Sequence, residues 1–567
     1  MKLTDVIGAT LRKYRVNEVF GLQGGAVVHI FDSIEKYGIK TVYTLHEQAA
    51  SLAAVSNAKV TNKFGCVVVT TGPGTTNALT GLLGAWNDSV PCLFISGQVR
   101  SSHVSYNRPV RQVGTQEAPI CDIVRPITKF SKFVDDPKKF QEELEKAILI
   151  ACEGRPGPVW IDIPLEFQWL DIPYNSELSS PKKITELKSE DSKSFKDLFL
   201  KSQKPLLVLG YGVRLSNSLD LCRNFVKKSK IPFVTTWTAQ DIFTTDDKNN
   251  FGVIGMSGQK GANKAMFESD LLICLGTHLS IPHTTTLFED YAPNAKKIII
   301  NIDINQLDNL NLGFDLKIHA DLKSFFKEIT KSHYIHNTET LFENQKFKKL
   351  NWYTPKGKVI NSNAWNRKLT AIAPEKSCFV VDGGGTALYT GFQSTIIKSK
   401  HQRIICSSGM SSMGSGLAET IGVYFSQEFE AFYCIIGDGS FFMNIQDLHT
   451  IVQYDIPVII TVINNNGYLA IRHTQAEFQE NRFHGTHPDW GLTMPSIEKI
   501  SKGFGVKYTK IEDNSEIDKV LNEVNGVKSP IVVEVVTSEN QPVLFKQKYS
   551  KNKNGTFSPH NLSSMAP

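Results

Sequence analysis

Along the chain, short apolar runs rich in β-branched residues recur, each stopped by a glycine, asparagine or aspartate. "AFYCII" (Ala431 to Ile436) ends at Gly437, and "PVIITVI" (Pro457 to Ile463) ends at Asn464. Between them Phe442, Ile445, Leu448, Ile451 and Val452 share one helical face, so this unit predicts two parallel strands joined by a right-handed helical crossover. "GCVVVTTGPG", "PLLVLGYGV" and "IINIDINQL" read as further strands running into turns, and "IKTVYTLHEQAASLAAVSNAKVT" as a strand entering an alanine-rich helix. Two polar, lysine-rich stretches, 175–194 and 331–358, lack a sustained apolar face and divide the chain. The predicted organisation is three doubly wound parallel-sheet α/β domains at 1–174, 190–332 and 358–545, followed by a tail at 546–567.

At 567 residues, 41% hydrophobic and 21% charged, the chain is long enough for each domain to bury its own core. Its net charge of +6 is small for that length and the lysines are scattered, which argues against a nucleic-acid partner. No apolar run reaches the length of a membrane span, and the N-terminal "MKLTDVIGATLRKY" has helical spacing rather than the apolar block of a signal peptide. The nine cysteines form no CxxC pair, and Cys66, Cys92, Cys274 and Cys434 sit inside apolar runs, as core residues of a reduced, cytoplasmic protein would. The basic, Asn- and Ser-rich tail predicts a solvated, flexible end, with a lid over a site as the sharper alternative.

The chemistry enters at "GDGSFFMNIQDLHTIVQYDIPVIITVINNNGY" (Gly437 to Tyr468). Asp438 and, 27 positions later, Asn465 both fall just past the carboxyl ends of predicted strands, the edge at which open α/β sheets bind ligands. Asp438 offers an anionic oxygen and Asn465 a neutral one, while Gly439 and Ser440 open a helix with free N–H groups that favour phosphate. Mg²⁺ takes few protein oxygens and completes its shell with phosphate and water, so the set reads as a Mg²⁺-diphosphate cradle. A Gly-rich turn with a capping aspartate remains the plain alternative for "GDG"; a dinucleotide fingerprint is disfavoured because its third glycine position is Phe442.

GDG followed by NN and then glycine resembles the signature of thiamin diphosphate (ThDP) enzymes. That resemblance implies that Asp438, the Asn465 side chain and the Gly467 carbonyl ligate the metal, with Tyr468 alongside. "HEQAA" places Glu47 at a strand-to-helix junction, where a carboxylate is ordinarily a partner for the helix dipole. By the resemblance it is instead the acid that hydrogen-bonds the aminopyrimidine of ThDP and promotes loss of the thiazolium C2 proton.

The segment from Gly65 to Val99, with Pro73 and Asn77, closely resembles acetolactate synthases and their relatives, as do "GRPGPVWIDIPLEFQ" and "VFGLQGGAV" with Gly24 and Gly25. The family implies a pyrimidine-binding domain, a middle domain and a diphosphate-binding domain. It also implies a homodimer or homotetramer in which Glu47 of one chain meets the cofactor held by Asp438 of the partner subunit. Met413 matches the apolar residue that bends the cofactor, Gln116 a glutamine near the reacting carbon, and Gly385 and Thr386 neighbours of the diphosphate. Without the match, Met413 reads as core filling and Gln116 as a loop amide.

In the middle domain Gly210, Gly212, Asp303 and Asp321 resemble residues lining FAD in this family, where the flavin would be structural because the reaction transfers no net electrons. One departure stands out. Acetolactate synthases carry an arginine that receives the carboxylate of the second 2-keto acid, and here "GTHLSIPHTT" has His278 in its place. A largely neutral imidazole cannot replace an arginine fork on a carboxylate. With "TTWTAQDIF" and the C-terminal segment, this makes the chain resemble flavin-containing carboligases of branched-chain deoxysugar (yersiniose) biosynthesis in surface-polysaccharide pathways. The implied reaction decarboxylates pyruvate and passes its two-carbon unit to the ketone of a CDP-4-keto-3,6-dideoxyhexose. The alternatives are acetolactate synthesis from two pyruvates, simple decarboxylation, and a non-catalytic ThDP-binding protein.

Overall fold

The computed structural model describes residues 1–106, 108–176, 184–284, 291–331, 357–543 and 547–560. Three six-stranded sheets account for the architecture, and every strand pairing within them is parallel. The first contains β1 (Glu18–Gly21), β2 (Lys40–Tyr43), β3 (Gly65–Val69), β4 (Cys92–Gln98), β5 (Phe130–Phe133) and β6 (Pro158–Pro164), in the order β2-β1-β3-β4-β6-β5. The second contains β7 (Pro205–Leu209), β8 (Phe233–Thr235), β9 (Asn250–Val253), β10 (Leu271–Leu275), β11 (Lys296–Asn301) and β12 (Leu316–His319), ordered β12-β11-β10-β7-β8-β9. The third contains β13 (Ser377–Val381), β14 (Arg403–Ile405), β15 (Ala431–Gly437), β16 (Val458–Asn464), β17 (Lys507–Ile511) and β18 (Ile531–Val536), ordered β14-β13-β15-β16-β18-β17. The first and third sheets therefore share one strand order, while the middle sheet has the order of dinucleotide-binding folds.

Central strands such as β3, β4, β7, β10 and β13 are buried along their whole length, which is why their sequences are apolar runs without alternation. The helix Glu47–Thr61 is buried on nearly every side, which accounts for its alanines: small side chains let neighbours close in from both faces. It packs on the helix Ser415–Phe425 of the third domain, where Ser56 Oγ donates to the Glu419 carbonyl at 2.8 Å and Asn57 Nδ2 to the Gly422 carbonyl at 3.2 Å.

All three domains converge on one buried charge network. Asp241 of the middle domain accepts from Arg214 Nη2 at 2.8 Å, from Arg403 Nε at 2.7 Å and from the Ile404 N–H at 3.1 Å. Arg403 also donates to the carbonyl of Lys59, whose own ammonium pairs with Asp88 at 2.8 Å and reaches the Cys406 carbonyl at 2.6 Å. All nine cysteines are free and all but Cys152 are buried, in keeping with core packing. Among the described residues no helix is long and apolar enough to cross a membrane.

Three expectations change. The crossover helix over Phe442 to Val452 is two pieces, Asp438–Phe441 and Asp447–Gln453, because Asn444 turns out of the helix to donate to the Gly414 carbonyl at 2.9 Å. Its apolar residues still pack into the core. Over 547–560 the tail is mostly exposed, as its composition predicts, but it carries a hairpin of Tyr549–Lys551 and Phe557–Pro559. Tyr549 and Phe557 both lie against Phe478, at 5.9 and 4.4 Å between ring centroids, and the Gln547 N–H donates to the Met256 carbonyl. Of the polar divider at 175–194, the end belongs to a helix, Ser189–Lys201, that buries Phe195 and Phe199. The rest of that divider lies partly, and the one at 331–358 almost wholly, outside the described residues.

Candidate active site

In the third sheet the order of connection reverses between β13 and β15, the switch point at which open α/β sheets form a ligand crevice at the carboxyl edge. Asp438 follows β15 directly and is buried; its Oδ2 accepts from the N–H groups of Gly467 (2.9 Å) and Asn465 (3.2 Å), its Oδ1 from Gly439 (2.8 Å). Burial pushes its carboxyl up to about 6 against those three donors and the Arg472 charge. Asn465, also buried, donates through Nδ2 to Thr386 Oγ1 at 3.3 Å, so the helix starting at Gly385 is tied to the same crevice. The Tyr468 ring covers Gly439, where a side chain would strike it. Half-buried Met413 precedes Gly414, whose backbone lies beside Met443, Asn444 and Ser440. Asp438, Gly439, Ser440, Asn465, Gly467, Tyr468, Gly385 and Thr386 thus belong to one neighbourhood, with Met413 next to it in the chain.

A second neighbourhood lies at the equivalent edge of the first sheet. Glu47 is 8% exposed, and its Oε2 accepts from Asn77 Nδ2 at 3.0 Å. The cap of its helix is made by His46, whose Nδ1 accepts from the Gln48 N–H at 3.0 Å, so Glu47 is free of that duty. Pro73 starts the helix that carries Asn77, and Gly24 lies against Thr70 at the end of β3. Gln116 takes a left-handed backbone (φ 62°), and Thr71 Oγ1 donates to its carbonyl at 2.9 Å. A non-glycine residue held in that conformation marks a loop fixed by its surroundings. Gly25, Pro73 and Gln116 are exposed. Among the described residues no hydrogen bond or ion pair joins Glu47 and its neighbours to Asp438 and its neighbours.

The middle domain contributes a cleft at the β7/β10 reversal, bounded by Gly212, Gly276, His278, His283 and Asp321 and closed by Asp88, Arg155 and Cys406 from the flanking domains. A Cβ on Gly212 would lie 2.7 Å from Gly276 Cα, and Gly276 itself has φ +60°, so the two turns touch as bare backbone; Gly210 crowds the same carbonyl. Asp321 and Asp303 each cap a helix, and Asp303 also pairs with Arg155 at 3.2 Å. Asp303 borders an adjoining recess rather than the main cleft. Burial and the Arg155 charge lower the His278 pKa, and burial takes His283 down to about 3, so both imidazoles are neutral.

Two residues of the Asp438 neighbourhood escape a motif reading. Asp382, wholly buried after β13, accepts from the N–H groups of Gly384 (2.7 Å) and Gly416 (3.0 Å) and so sets the loop facing Ser440. Its signal is the "VDGGG" run, where it directly follows a strand, as Asp438 does. Arg472, one helical turn after Tyr468 in "NNNGYLAIR", is buried and donates to the backbone of the Asn465 loop.

Comparison with known families gives three matches: residues 1–123 to the N-terminal TPP binding domain of thiamine pyrophosphate enzymes, 193–329 to their central domain and 374–535 to their C-terminal TPP binding domain. Among individual proteins, the acetolactate synthase large subunit of Haemophilus influenzae is 31% identical over 569 residues, covering 95% of each chain. That of Buchnera aphidicola subsp. Schizaphis graminum is 31% identical over 549 residues, covering 91% of each. The isozyme 2 large subunit of Escherichia coli is 27% identical over 537 residues, covering 94% of this chain and 95% of its own. With two strand-edge crevices built from the ThDP motifs and relatives that align along almost the whole length, the chain belongs to the thiamine pyrophosphate enzymes, as a carbon–carbon bond-forming member of the acetolactate synthase-like group.

Proposed function

We propose that the chain decarboxylates pyruvate and joins the two-carbon fragment to a ketone acceptor. The observation that carries this is the meeting of Asp438 and Asn465, 27 residues apart, at the reversal point of the third sheet. One carboxylate, one carboxamide and the Gly467 carbonyl suit Mg²⁺, with Gly385, Thr386, Gly439 and Ser440 offering N–H and hydroxyl groups to a diphosphate. When bound, ThDP supplies an electron sink for loss of CO₂ from a 2-keto acid. Met413 and Tyr468 would supply apolar walls, and Glu47 would hold and return a proton beside the pyrimidine end.

Because burial raises the Asp438 pKa to about 6, a proton competes with the metal below that pH. Apparent Mg²⁺ affinity should be level above that pH and drop about tenfold per unit below it. A Mg²⁺ titration at fixed ThDP, read by protein fluorescence at stepped pH, checks this; a flat profile contradicts it.

A homodimer, or a dimer of such dimers, would bring Glu47 to the cofactor held by Asp438 of the partner subunit. The exposed apolar side chains beside each neighbourhood support this: Leu45 and Val28 flank the Glu47 side, Met443 and Ile471 the Asp438 side. Gly24, Gly25, Pro73, Asn77 and Gln116 would then line the pyrimidine and reacting end.

For the acceptor, the relatives support a second pyruvate, giving acetolactate. One observation favours a neutral acceptor instead, such as the keto sugar of a CDP-4-keto-3,6-dideoxyhexose. His278, at the position of the carboxylate-binding arginine, is neutral, and the nearby Arg155 is already paired with Asp303. Purified enzyme given pyruvate alone, and then pyruvate with the keto sugar, decides by product mass: acetolactate as the only product in both arms sinks the sugar reading, and no acetolactate in either sinks the other.

The middle cleft would hold FAD as a structural cofactor, with the bare backbone of Gly210 and Gly212 allowing a diphosphate to approach and Asp321 offering a carboxylate. Gly276→Val, which adds a side chain at a left-handed position against Gly212, should cost the protein its flavin absorbance; flavin retained at wild-type stoichiometry would contradict the placement.

A further inference from the structure

Arg472 is 2% exposed and makes no ion pair among the described residues, yet it is surrounded by backbone oxygens. Nη1 donates to the carbonyls of Asn466 (3.1 Å) and Thr486 (2.8 Å); Nη2 donates to those of Asn465 (2.7 Å) and Glu539 (2.9 Å). Nη2 also lies 3.5 Å from Asn465 Oδ1. One planar group therefore binds three segments that are remote in sequence: the Asn465 loop, the turn at Thr486 and the segment after β18.

The Asn465 loop is also the one that encircles Asp438. At Gly467 the backbone has φ +126°, and a Cβ there would lie 3.0 Å from Arg472 Nη1 and 2.8 Å from the Thr486 carbonyl. The glycine is thus required by the space the guanidinium fills as well as by its own dihedral. Resting on the reading of Asp438 and Asn465 as cation ligands, we infer that Arg472 is a positioning residue: it holds the cation-binding loop in its binding shape before any cation arrives. Its charge faces Asp438 and offsets the carboxylate while the metal is away; its fork of donors keeps the Asn465 and Asn466 carbonyls turned inward. A lysine, a point charge with no planar fork, could reach only part of this set.

Two effects of removing it oppose each other. Loss of a positive charge beside the site favours Mg²⁺, whereas loss of the clamp means that several residues must be ordered on binding, which disfavours it. The multiplicity of donors on three segments makes the second effect the larger. In Arg472→Met the half-saturating Mg²⁺ concentration should rise at least about tenfold, kcat at saturating Mg²⁺ and ThDP should stay within about threefold, and Arg472→Lys should fall between. A residue with a merely structural role would lower thermal stability without moving the Mg²⁺ curve. In wild-type protein free of metal, hydrogen exchange should find the Asn465 and Gly467 amides already protected, a readout independent of whether a variant folds. Unprotected amides, an unchanged Mg²⁺ curve, or tighter Mg²⁺ binding in Arg472→Met would overturn the inference alone. Wild-type ThDP binding that is indifferent to divalent cations would instead sink the metal site, and this inference with it.

Discussion

Glu47→Gln should lower pyruvate turnover about a thousandfold while leaving Mg²⁺-dependent ThDP binding nearly unchanged. The amide keeps the size of the side chain and can still accept from Asn77, so the fold around the helix Glu47–Thr61 has no reason to change. What it loses is the ability to take up and return a proton. If Glu47 served only as a favourable charge at a helix N-terminus, the change would be worth about 0.3–1 kcal/mol, less than tenfold on any rate. The two readings are separated by about two orders of magnitude. Rates of CO₂ release measured beside ThDP titrations decide; a loss of less than tenfold would return Glu47 to a dipole partner.

Asp241→Asn should destabilise the protein by about 3–5 kcal/mol. The aspartate is wholly buried between Arg214 and Arg403, and its neutral replacement would leave two guanidinium groups in a dry junction without their counter-charge. Burial opposes its ionisation, but the two arginines prevail and hold the carboxyl below its ordinary value. The sign for pH follows: a depressed native pKa contributes stability above the unfolded value near 4 and loses it as pH falls through the native one. The variant should therefore be weaker at neutral pH, and the gap should close in acid. Denaturant midpoints at both ends of that range test this, and a neutral-pH loss below about 1 kcal/mol would contradict it.

The parts of this molecule that can be read in its sequence are the ones whose cause is local. A strand buried on both faces must be apolar throughout, so "AFYCII" and "PVIITVI" announce β15 and β16, and whatever follows them stands at the ligand edge. Asp438 and Asn465 were visible for that reason, whereas Glu47 and Asn77 stood out only through the family resemblance; the structure brings the four together in two pairs. Where the cause is a distant segment, the sequence is silent. The break in the crossover helix depends on the Gly414 carbonyl, thirty positions upstream of Asn444. Arg472 spans 67 residues to the Glu539 carbonyl and looks like an ordinary helix arginine until the fold is known. The tail's polar composition pointed to solvent, and residues 550–556 are exposed, but the contacts of Tyr549 and Phe557 with Phe478, more than seventy positions upstream, could not be read from it.

The common strand order of the first and third sheets has a consequence of its own. Two receptacles built to one plan, on a single polypeptide, can each specialise for one end of an elongated, asymmetric molecule without either scaffold being redesigned. One copy keeps an acid after its second strand, the other a carboxylate after its third, and the changes that tell them apart are confined to loops. Such a division of labour lets new chemistry arise by altering a handful of edge residues while both frameworks stay as they were.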